Sequence, residues 1–270
     1  MQNQFHLRRN IVKLVSVVVP CYNEQEVLPM FYDEITKVTG QMSQTYPELT
    51  FEYLFINDGS KDNTLEILRS LAEKDSRVRY ISFSRNFGKE SAMYAGLQNS
   101  KGDYIAILDA DMQDPPSLIP EMVRIIDNDE ADIVAARRVT REGEPKIRSF
   151  FARMFYRLIN KMCEVEIADG ARDFRLMKRI VVDAIVSLGE KQRFSKGIFA
   201  WVGFRTKWLE HQNVERVAGE TKWSFWKLFK YAIDGIVSFT IAPMRLATYC
   251  GFASAFAAFC YMIYYFIRAI

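Results

Sequence analysis

The stretch Gly102-Asp103-Tyr104-Ile105-Ala106-Ile107-Leu108-Asp109-Ala110-Asp111-Met112-Gln113-Asp114-Pro115-Pro116 carries the pattern from which the fold is predicted. An apolar run of strand length, Tyr104 to Leu108, ends at two carboxylates separated by one residue, and the two prolines then stop regular structure. In an open α/β sheet, ligands bind beyond the carboxyl ends of the strands, where we expect Asp109 and Asp111. Such a pair suits Mg²⁺ or Mn²⁺ bound together with phosphates. Taken alone, the pattern also fits a strand end followed by an acidic turn.

The composition limits the classes of protein to which the chain can belong. With 270 residues, 49% of them hydrophobic, it can bury one large core, or one domain with an appendage. The formal charge of +3 is small and evenly spread, which argues against nucleic acid as a partner. Only two histidines are present, which argues against a histidine-based triad or a histidine-rich metal site. The four cysteines lack metal-ligand spacing, which favours a reducing compartment, and the N-terminus has no apolar signal-peptide segment.

The C-terminal part of the chain has the pattern of a membrane span. Ala247 to Ile267 contains no charged residue and is bracketed by Arg245 and Arg268. As a helix this run measures about 31 Å, which matches the hydrocarbon core of a bilayer. The alternative is a buried core helix, which rarely runs so long with Phe, Tyr and Ala on all sides. We therefore predict a transmembrane helix over residues 244–270, and further spans beyond it are expected.

Strand and helix patterns alternate through the first half of the chain. The second helical pattern begins at Asn63, with Glu66 three residues on as a capping box. This alternation predicts a mostly parallel sheet with helices on both faces. The chain contains neither Gly-x-Gly-x-x-Gly after its first strand nor Gly-x-x-x-x-Gly-Lys-Ser/Thr, which argues against a dinucleotide-binding dehydrogenase and a P-loop NTPase. The predicted strands are Leu14–Pro20, Phe51–Ile56, Val78–Phe83, Tyr104–Leu108 and Ile133–Ala136.

Beyond Arg137 the alternation ends. Helices are predicted over residues 149–163 and 179–188, and a strand over 206–209. Residues 222–241 form a helical pattern in which a basic stripe lies beside Trp and Phe, just before the predicted span. This pattern is typical of a helix in the headgroup plane of a membrane, and the alternative is an ordinary core-packing helix.

Six stretches, in order, match the pattern of one enzyme family. They are Val19-Pro20-Cys21-Tyr22-Asn23-Glu24, Asn57-Asp58-Gly59-Ser60, Arg85-Asn86-Phe87-Gly88-Lys89, Asp109-Ala110-Asp111-Met112-Gln113-Asp114-Pro115, Asp173-Phe174-Arg175-Leu176-Met177 and Glu215-Arg216-Val217-Ala218-Gly219-Glu220-Thr221-Lys222-Trp223. On these stretches the chain resembles the family 2 glycosyltransferases, which have the GT-A fold. Within them it is similar to the polyprenyl-phosphate glycosyltransferases, a group that includes bactoprenol glucosyltransferases and dolichol-phosphate mannose synthases. The resemblance covers about Val15 to Arg245.

The resemblance implies a role for particular residues on the donor side. Asp58 is expected to reach the base of the nucleotide, and Asp109 to lie near its ribose and diphosphate. Asp111 is expected to hold the metal with Gln113, and Asp109 is a third candidate ligand. The remaining donor-side residues, which line the uridine or lie beside it, are Pro20, Tyr22, Glu24, Arg85 and Lys89.

The resemblance also implies residues for catalysis and for the acceptor. Asp173 and Arg175 are expected at the sugar end, where Asp173, Arg175 and Asp111 form the catalytic set. Asp173 would orient groups or stabilise an oxocarbenium-like sugar, but an N-cap or an arginine partner is an alternative role. For Arg175 and Arg216 the alternative is a surface salt bridge. The expected acceptor-phosphate residues are Arg216, Lys222 and Arg137, and the departures from the family pattern near the acceptor side are Lys178 and Thr221.

What the resemblance implies as a whole is an inverting, Mg²⁺- or Mn²⁺-dependent glycosyltransferase. It would move glucose or a similar hexose from a nucleotide sugar, UDP-linked, onto undecaprenyl phosphate at the cytoplasmic face of the inner membrane. The predicted organisation is an extension (1–13), a GT-A domain (14–221), an interfacial amphipathic helix (222–243) and the span (244–270). The partners are the nucleotide sugar, the polyprenyl phosphate and the lipid bilayer, while the oligomeric state, including a homo-oligomer, is left open.

Three alternatives are kept. A processive polysaccharide synthase usually carries a Gln-x-x-Arg-Trp motif, which this sequence lacks. A family 2 enzyme with a non-lipid acceptor is the second alternative. The third, an inactive nucleotide-sugar-binding scaffold, is disfavoured because Asp109 and Asp111 are both present.

Overall fold

The computed structural model describes residues 12–138, 170–190, 193–211 and 242–269. The strands are β1 (Lys13–Cys21), β2 (Leu49–Asn57), β3 (Val78–Ser82), β4 (Tyr104–Ile107), β5 (Ile133–Arg138), β6 (Ala171–Lys178) and β7 (Thr206–His211). The helices are α1 (Leu28–Thr45), α2 (Thr64–Lys74), α3 (Lys89–Asn99), α4 (Ile119–Asp127), α5 (Arg179–Ser187), α6 (Ser195–Trp201) and α7 (Ala242–Ala269), and a 3₁₀ turn, Pro116–Leu118, precedes α4.

The seven strands form one sheet in the order β3-β2-β1-β4-β6-β5-β7. All neighbouring pairs are parallel except those of β6, which runs antiparallel to both β4 and β5. The predicted mostly parallel α/β sheet is therefore confirmed. Because six strands run in one direction, their carboxyl ends and the amino end of β6 lie at the same edge, which we call the carboxyl edge.

Helices cover both faces of the sheet, as predicted. In β1, Val15, Val17 and Val19 belong to the core that contains residues of α1, α2 and α4. Val18 belongs to the core on the other face, with residues of α3, α5 and α6. Burial on both faces explains why β1 is a continuous β-branched run and does not alternate between apolar and polar residues.

Strand β6 is the element that the sequence analysis missed. Half of its eight residues are charged, so its pattern is not that of a buried strand. It becomes one because it is inserted between β4 and β5, where Phe174, Leu176 and Met177 are fully or almost fully buried. The charged residues Arg172 and Asp173 belong to its amino end, at the carboxyl edge of the sheet.

Two local expectations were wrong. Lys178 was expected near the acceptor side, but it ends β6 at the opposite edge of the sheet, where Nζ donates to Oδ1 of Asp132 over 2.8 Å. Asn63 is the N-cap of α2, but its side chain makes no capping hydrogen bond. Oδ1 of Asp62 accepts from the backbone N–H of Thr64 over 3.1 Å instead.

The helix predicted to cross a membrane is present as α7. Its Met244–Ala269 segment is long and apolar enough for a span, and none of its most apolar window is buried. Large side chains such as Phe252 and Phe256 are about 70% exposed. The helices predicted over residues 149–163 and 222–241 lie outside the described residues. The predicted domain boundaries stay predictions.

Candidate active site

A lysine from α3 joins carboxylates from two strands. Lys89 is the first residue of α3, after Gly88, which has a φ of 95° and caps the helix. Its Nζ donates to Oδ2 of Asp109, just beyond β4, over 2.7 Å. The same Nζ donates to Oδ2 of Asp173 at the amino end of β6. The structure therefore brings together three of the predicted site residues, Lys89, Asp109 and Asp173.

These three side chains are accessible from solvent. Lys89, Asp109 and Asp173 are 32%, 23% and 18% exposed, respectively. The hydrogen-bonded group is therefore partly exposed at the carboxyl edge of the sheet.

The charges of this group shift its pKa values in different directions. Burial disfavours the ammonium of Lys89, but attraction by Asp109 and Asp173 outweighs it and raises the pKa of Lys89. For Asp109, burial and repulsion by Asp173 and Asp111 raise the pKa against the attraction of Lys89. For Asp173, burial is outweighed by Lys89 and Lys196, so its pKa lies below the usual range. Asp173 is thus ionised at neutral pH, and negative charge accumulates around Asp109.

A second charged group braces the loop after β4. Asp114 is 1% exposed, and its two oxygens accept from Nε of Arg172 over 3.0 and 3.1 Å. Nε2 of His211, at the end of β7, lies 3.1 Å from Oδ1 of Asp114. Nη2 of Arg172 donates to Oε1 of Gln113 over 3.2 Å. Burial of Asp114 is outweighed by His211 and Arg172, so the pKa of Asp114 is held below its usual range.

Asp58 holds the loop after β3 in place. Its carboxylate, 3% exposed, accepts from the backbone N–H groups of Phe87 and Gly88 over 2.7 and 2.9 Å. Burial raises the pKa of Asp58, and these two hydrogen bonds oppose the shift. Contact of Asp58 with the nucleotide base stays a prediction, because the described contacts of both oxygens are with this loop.

The loop after β1 is fastened to the loop between β2 and α2. Asn23, at a φ of 52°, donates its backbone N–H to Oγ of Ser60 over 3.0 Å. Its Oδ1 accepts from the backbone N–H of Lys61 over 2.8 Å. The backbone N–H of Glu24 donates to Oγ1 of Thr64 over 2.8 Å. These contacts bring the predicted donor-side residues Tyr22 and Glu24 to the same edge as Asp58; Pro20, within β1, pairs with Ile56.

The predicted arginines differ in their surroundings. Arg175 is 3% exposed, donates to the carbonyls of Asp173 (3.1 Å) and Arg172 (2.7 Å), and stacks on Phe199. It therefore holds the backbone beneath Asp173, which favours positioning over the predicted contact with the sugar. Arg85 lies over the ring of Phe87. Arg137 pairs in register with Ala171, the first residue of β6, which brings it to the carboxyl edge.

Comparison with known proteins assigns the chain to a family. Residues 16–186 match the family model described as glycosyl transferase family 2. The chain belongs to glycosyl transferase family 2. A prophage bactoprenol glucosyl transferase homolog of Escherichia coli K12 is 42% identical over 247 residues, which cover 92% of this chain and 79% of the relative. The bactoprenol glucosyl transferase of Shigella phage SfV is also 42% identical, over 92% of this chain and 78% of its own.

Solved structures share the fold of this family 2 chain. Mannosyl-3-phosphoglycerate synthase from Rubrobacter xylanophilus has a TM-score of 0.52 at 19% identity and covers 87% of this chain and 74% of its own. Glucosyl-3-phosphoglycerate synthase from Mycobacterium tuberculosis, solved with Mn²⁺, UDP-glucose and phosphoglyceric acid, has a TM-score of 0.51 at 17% identity, over 82% and 76%. At these identities the likeness supports the GT-A-like fold alone.

Sequence reasoning missed several residues of this family 2 site. Asp114 lies inside the fourth motif and Arg172 directly precedes the fifth, but the sequence analysis assigned neither residue a role. It counted His211 only as one of two histidines. The one available signal was that Arg172 directly precedes Asp173. Arg216 and Lys222, predicted at the acceptor phosphate, lie outside the described residues, as does Thr221.

The residues after β4 include carboxylates, whose oxygens are suitable ligands for a divalent cation. Among the described residues, no group of three His, Cys, Asp or Glu side chains could hold a metal ion by itself. Asp109 and Asp111 nevertheless supply hard oxygen ligands, and their mutual repulsion contributes to the raised pKa of Asp109. A dication would relieve this repulsion, and phosphate oxygens of a substrate could complete its coordination.

Proposed function

We propose that this protein transfers a hexose from a UDP-linked nucleotide sugar to a polyprenyl phosphate, with inversion, at the cytoplasmic face of a membrane. The observation that carries the proposal is the meeting of Asp109 and Asp173 at Lys89, on the carboxyl edge of the sheet. It occurs in a chain that is 42% identical to proteins named bactoprenol glucosyl transferase.

The donor would bind between the loops that follow β1, β2, β3 and β4. Pro20, Tyr22, Glu24 and Arg85 are proposed to surround the nucleotide, while Lys89 offers positive charge to the diphosphate. Mg²⁺ or Mn²⁺, when bound, would supply positive charge for the departing diphosphate. Asp111 and Asp109 would hold this ion through carboxylate oxygens, whereas Oε1 of Gln113 already accepts from Arg172. Glucosyl-3-phosphoglycerate synthase, one of the structural neighbours, was solved with Mn²⁺ and UDP-glucose.

The chemistry needs no strong general base. The second pKa of a phosphomonoester is about 6, so the acceptor is already ionised at neutral pH. One of its oxygens attacks the anomeric carbon, the bond from that carbon to the diphosphate oxygen breaks, and the bonding electrons leave with the nucleoside diphosphate. Asp173, ionised because Lys89 and Lys196 lower its pKa, would stabilise positive charge on the sugar.

The acceptor would reach this site from the bilayer. We assign α7 to the membrane on the basis of its length, apolar composition and exposure. Residues 222–243, with Lys222, are proposed to lie in the headgroup region just before it. Arg216 and Arg137 are proposed to hold the acceptor phosphate between that region and Asp173.

An assay with defined lipid tests this function. The full chain in membranes is incubated with undecaprenyl phosphate and a panel of UDP- and GDP-sugars, and the lipid is analysed by mass spectrometry. We expect one UDP-hexose to give a lipid heavier by one hexosyl unit, and Asp111→Ala membranes to give none. A product of many sugar units would support the processive synthase instead, and transfer only to water-soluble acceptors would refute the lipid acceptor.

A further inference from the structure

Helix α6 is fixed against the active site at its first residue. The carboxylate of Glu90, which follows Lys89 in α3, accepts from the backbone N–H of Ser195 over 3.0 Å and also from its Oγ. Because α3 begins at the carboxyl edge of the sheet, α6 begins there as well. Lys196, the second residue of α6, therefore belongs to the same edge as Lys89.

A second contact, one turn further along α6, shows which side of this helix faces the site. Phe199 is 5% exposed, and the guanidinium of Arg175 stacks on it with Cζ 3.5 Å from the ring centroid. Arg175 in turn donates to the carbonyl of Asp173 over 3.1 Å. Residues three apart in a helix lie on the same face, so Lys196 and Phe199 both face the amino end of β6.

The directions of the two elements bring Lys196 close to Asp173. The step from Arg175 to Asp173 along β6 leads toward the carboxyl edge, and the step from Phe199 to Lys196 along α6 does the same. Electrostatics agree with this placement. Burial raises the pKa of Asp173, but attraction by Lys89 and then Lys196 outweighs burial and holds that pKa below its usual range.

The cations around Asp173 differ in what they bind. Nζ of Lys89 donates to both Asp109 and Asp173. The guanidinium of Arg175 is directed to backbone carbonyls and to the ring of α6. Lys196 is half-buried and supplies its charge from α6. An anion beside Asp173 can therefore be met by Lys196 while Lys89 keeps its two carboxylates.

The acceptor requires a positive charge at this place. A phosphomonoester carries about 1.5 to 2 negative charges at pH 7, and Asp173 is itself ionised there. Like charges a few ångströms apart repel each other, most strongly where water is partly excluded. A phosphate oxygen can approach a sugar next to Asp173 only if a cation offsets this repulsion.

The order of the strands separates a donor side from an acceptor side. Asp109 follows β4, Asp173 lies at the amino end of β6, and β5 with Arg137 comes next. The diphosphate is proposed on the β4 side, where Lys89 contacts Asp109. A phosphate on the β5 side would instead lie near Arg137. Because α6 packs on β6, Lys196 can serve this second side.

We propose that the ammonium of Lys196 binds the phosphate of the polyprenyl phosphate acceptor beside Asp173 and, together with Arg137, holds the attacking oxygen near the anomeric carbon. The reaction keeps its balance: the phosphate oxygen forms the new bond, and the nucleoside diphosphate leaves with the electron pair of the old one. Lys196 supplies charge and hydrogen bonds and transfers no proton. The inference rests on the proposed function, since it adds a residue to the same acceptor site.

Steady-state kinetics of Lys196→Met test this role. The full chain in detergent is assayed with undecaprenyl phosphate and the UDP-hexose that supports transfer. Loss of a charge-assisted contact should raise KM for undecaprenyl phosphate at least about tenfold. KM for the UDP-hexose, and the affinity for UDP by calorimetry, should change less than about twofold. Lys196→Arg, which keeps the charge, should bring KM for the lipid within about threefold of the parent.

A short-chain lipid separates the phosphate from the prenyl chain. Farnesyl phosphate should compete with undecaprenyl phosphate, and its inhibition constant should rise in Lys196→Met as much as KM does. Farnesol has the same chain without the phosphate, so any inhibition by farnesol should be equal in the parent and the variant.

Two further variants control for structural effects. Lys196→Gln repeats the test without placing an apolar group beside Asp173, and it should raise KM for the lipid as Lys196→Met does. Lys37→Met is the matched control, because Lys37 is 66% exposed on α1, where it contacts Glu34. It removes one lysine charge far from the carboxylates and should leave both KM values unchanged.

The outcomes separate this inference from the proposed function. An unchanged KM for undecaprenyl phosphate in Lys196→Met and Lys196→Gln would overturn the inference and leave the function standing. An equal rise in KM for the UDP-hexose would assign Lys196 to the donor, and a fall in kcat alone would show that it acts only through Asp173. Either result would also overturn the inference. If the parent transfers nothing to undecaprenyl phosphate, the proposed acceptor and the inference are both wrong.

Discussion

At the scale of single residues, the placement of Lys89 explains how two carboxylates share a small site. Without a cation between them, Asp109 and Asp173 would repel each other at an edge that is partly shielded from water. The ammonium of Lys89 contacts both, and Asp173 becomes the more acidic of the two because Lys196 also attracts it. Carboxylates of the same kind are thereby separated into a firmly ionised group and one with a raised pKa.

Asp111→Ala should reduce hexosyl transfer by at least about 100-fold, because the proposed metal loses a ligand where charge develops. The free energy of unfolding should fall by only about 1 kcal/mol, the value of the hydrogen bond from Gln113. Transfer is measured with radiolabelled donor, and stability by urea unfolding. Asp183→Ala, which changes an exposed side chain on α5, is the control and should change neither. Full activity of the parent in EDTA would contradict a metal requirement.

Asp173→Asn should lower kcat on the order of 100-fold and leave the pH profile unchanged between pH 5 and 9. The reason is that the pKa of Asp173 lies below its usual value near 3.8, so the carboxylate stays ionised throughout this range. Any acid limb near pH 6 would then come from the acceptor phosphate and would persist in the variant. Initial rates over this range check the prediction, and an acid limb that disappears in Asp173→Asn would show a general base.

At the scale of elements, the carboxyl edge is built by loops that depend on one another. The loop after β2 contacts both the loop after β1 and the loop after β3. Gly59, with a φ of 62°, is the point of closest approach: a Cβ there would lie 2.3 Å from the backbone carbon of Arg85. The donor side therefore depends on a backbone conformation that only glycine adopts without strain.

Gly59→Ala should destabilise the protein by about 2 kcal/mol or more, since it adds left-handed strain and a backbone clash. It should also weaken UDP binding, because Arg85 must move. Gly40→Ala is the matched control: Gly40 lies within α1, with nothing within 4 Å of the added Cβ. That change should raise the free energy of unfolding by up to about 1 kcal/mol. Equal effects of the two substitutions in urea unfolding would contradict this account of Gly59.

At the scale of the whole molecule, the sheet and helix α7 differ in how they place their apolar side chains. The sheet carries the charged residues at one edge and buries its apolar faces under six helices. Helix α7 instead exposes its apolar side chains, which an aqueous environment disfavours and a bilayer accepts. We therefore expect the catalytic domain to be retained at a membrane by α7 and its neighbouring residues.

Ala255→Arg combined with Ala258→Arg should weaken retention in the membrane. Each arginine near the centre of the span costs roughly 2.5–3.5 kcal/mol in the membrane. Turnover of undecaprenyl phosphate should fall, whereas UDP binding in detergent should be unchanged. Ala269→Arg, at the end of α7 where the charge can reach the headgroups, is the control and should stay in the membrane fraction. Unchanged fractionation of the double variant after a carbonate wash would refute the span.

The sequence by itself determined the parts of this protein that depend on local pattern. Residues close together in the sequence predict three features: the alternation of strands and helices, the carboxylates after Leu108 and the uncharged run of α7. Side-chain periodicity and chain length suffice for such features, because the forces that produce them act between residues close in the chain. The six motifs indicated the glycosyltransferase family, and the matching family model confirmed this assignment.

Only the tertiary structure decided how distant residues meet. Strand β6, with four charges in eight residues, became a buried strand because β4 and β5 enclose it. Its insertion brings Asp173 to Lys89, 84 positions earlier, and Arg172 to Asp114, 58 positions earlier. Local pattern does not encode such pairings, since they depend on strand order and direction. The hydrogen bond from Arg172 to Gln113 arises in the same way, and no motif predicted it.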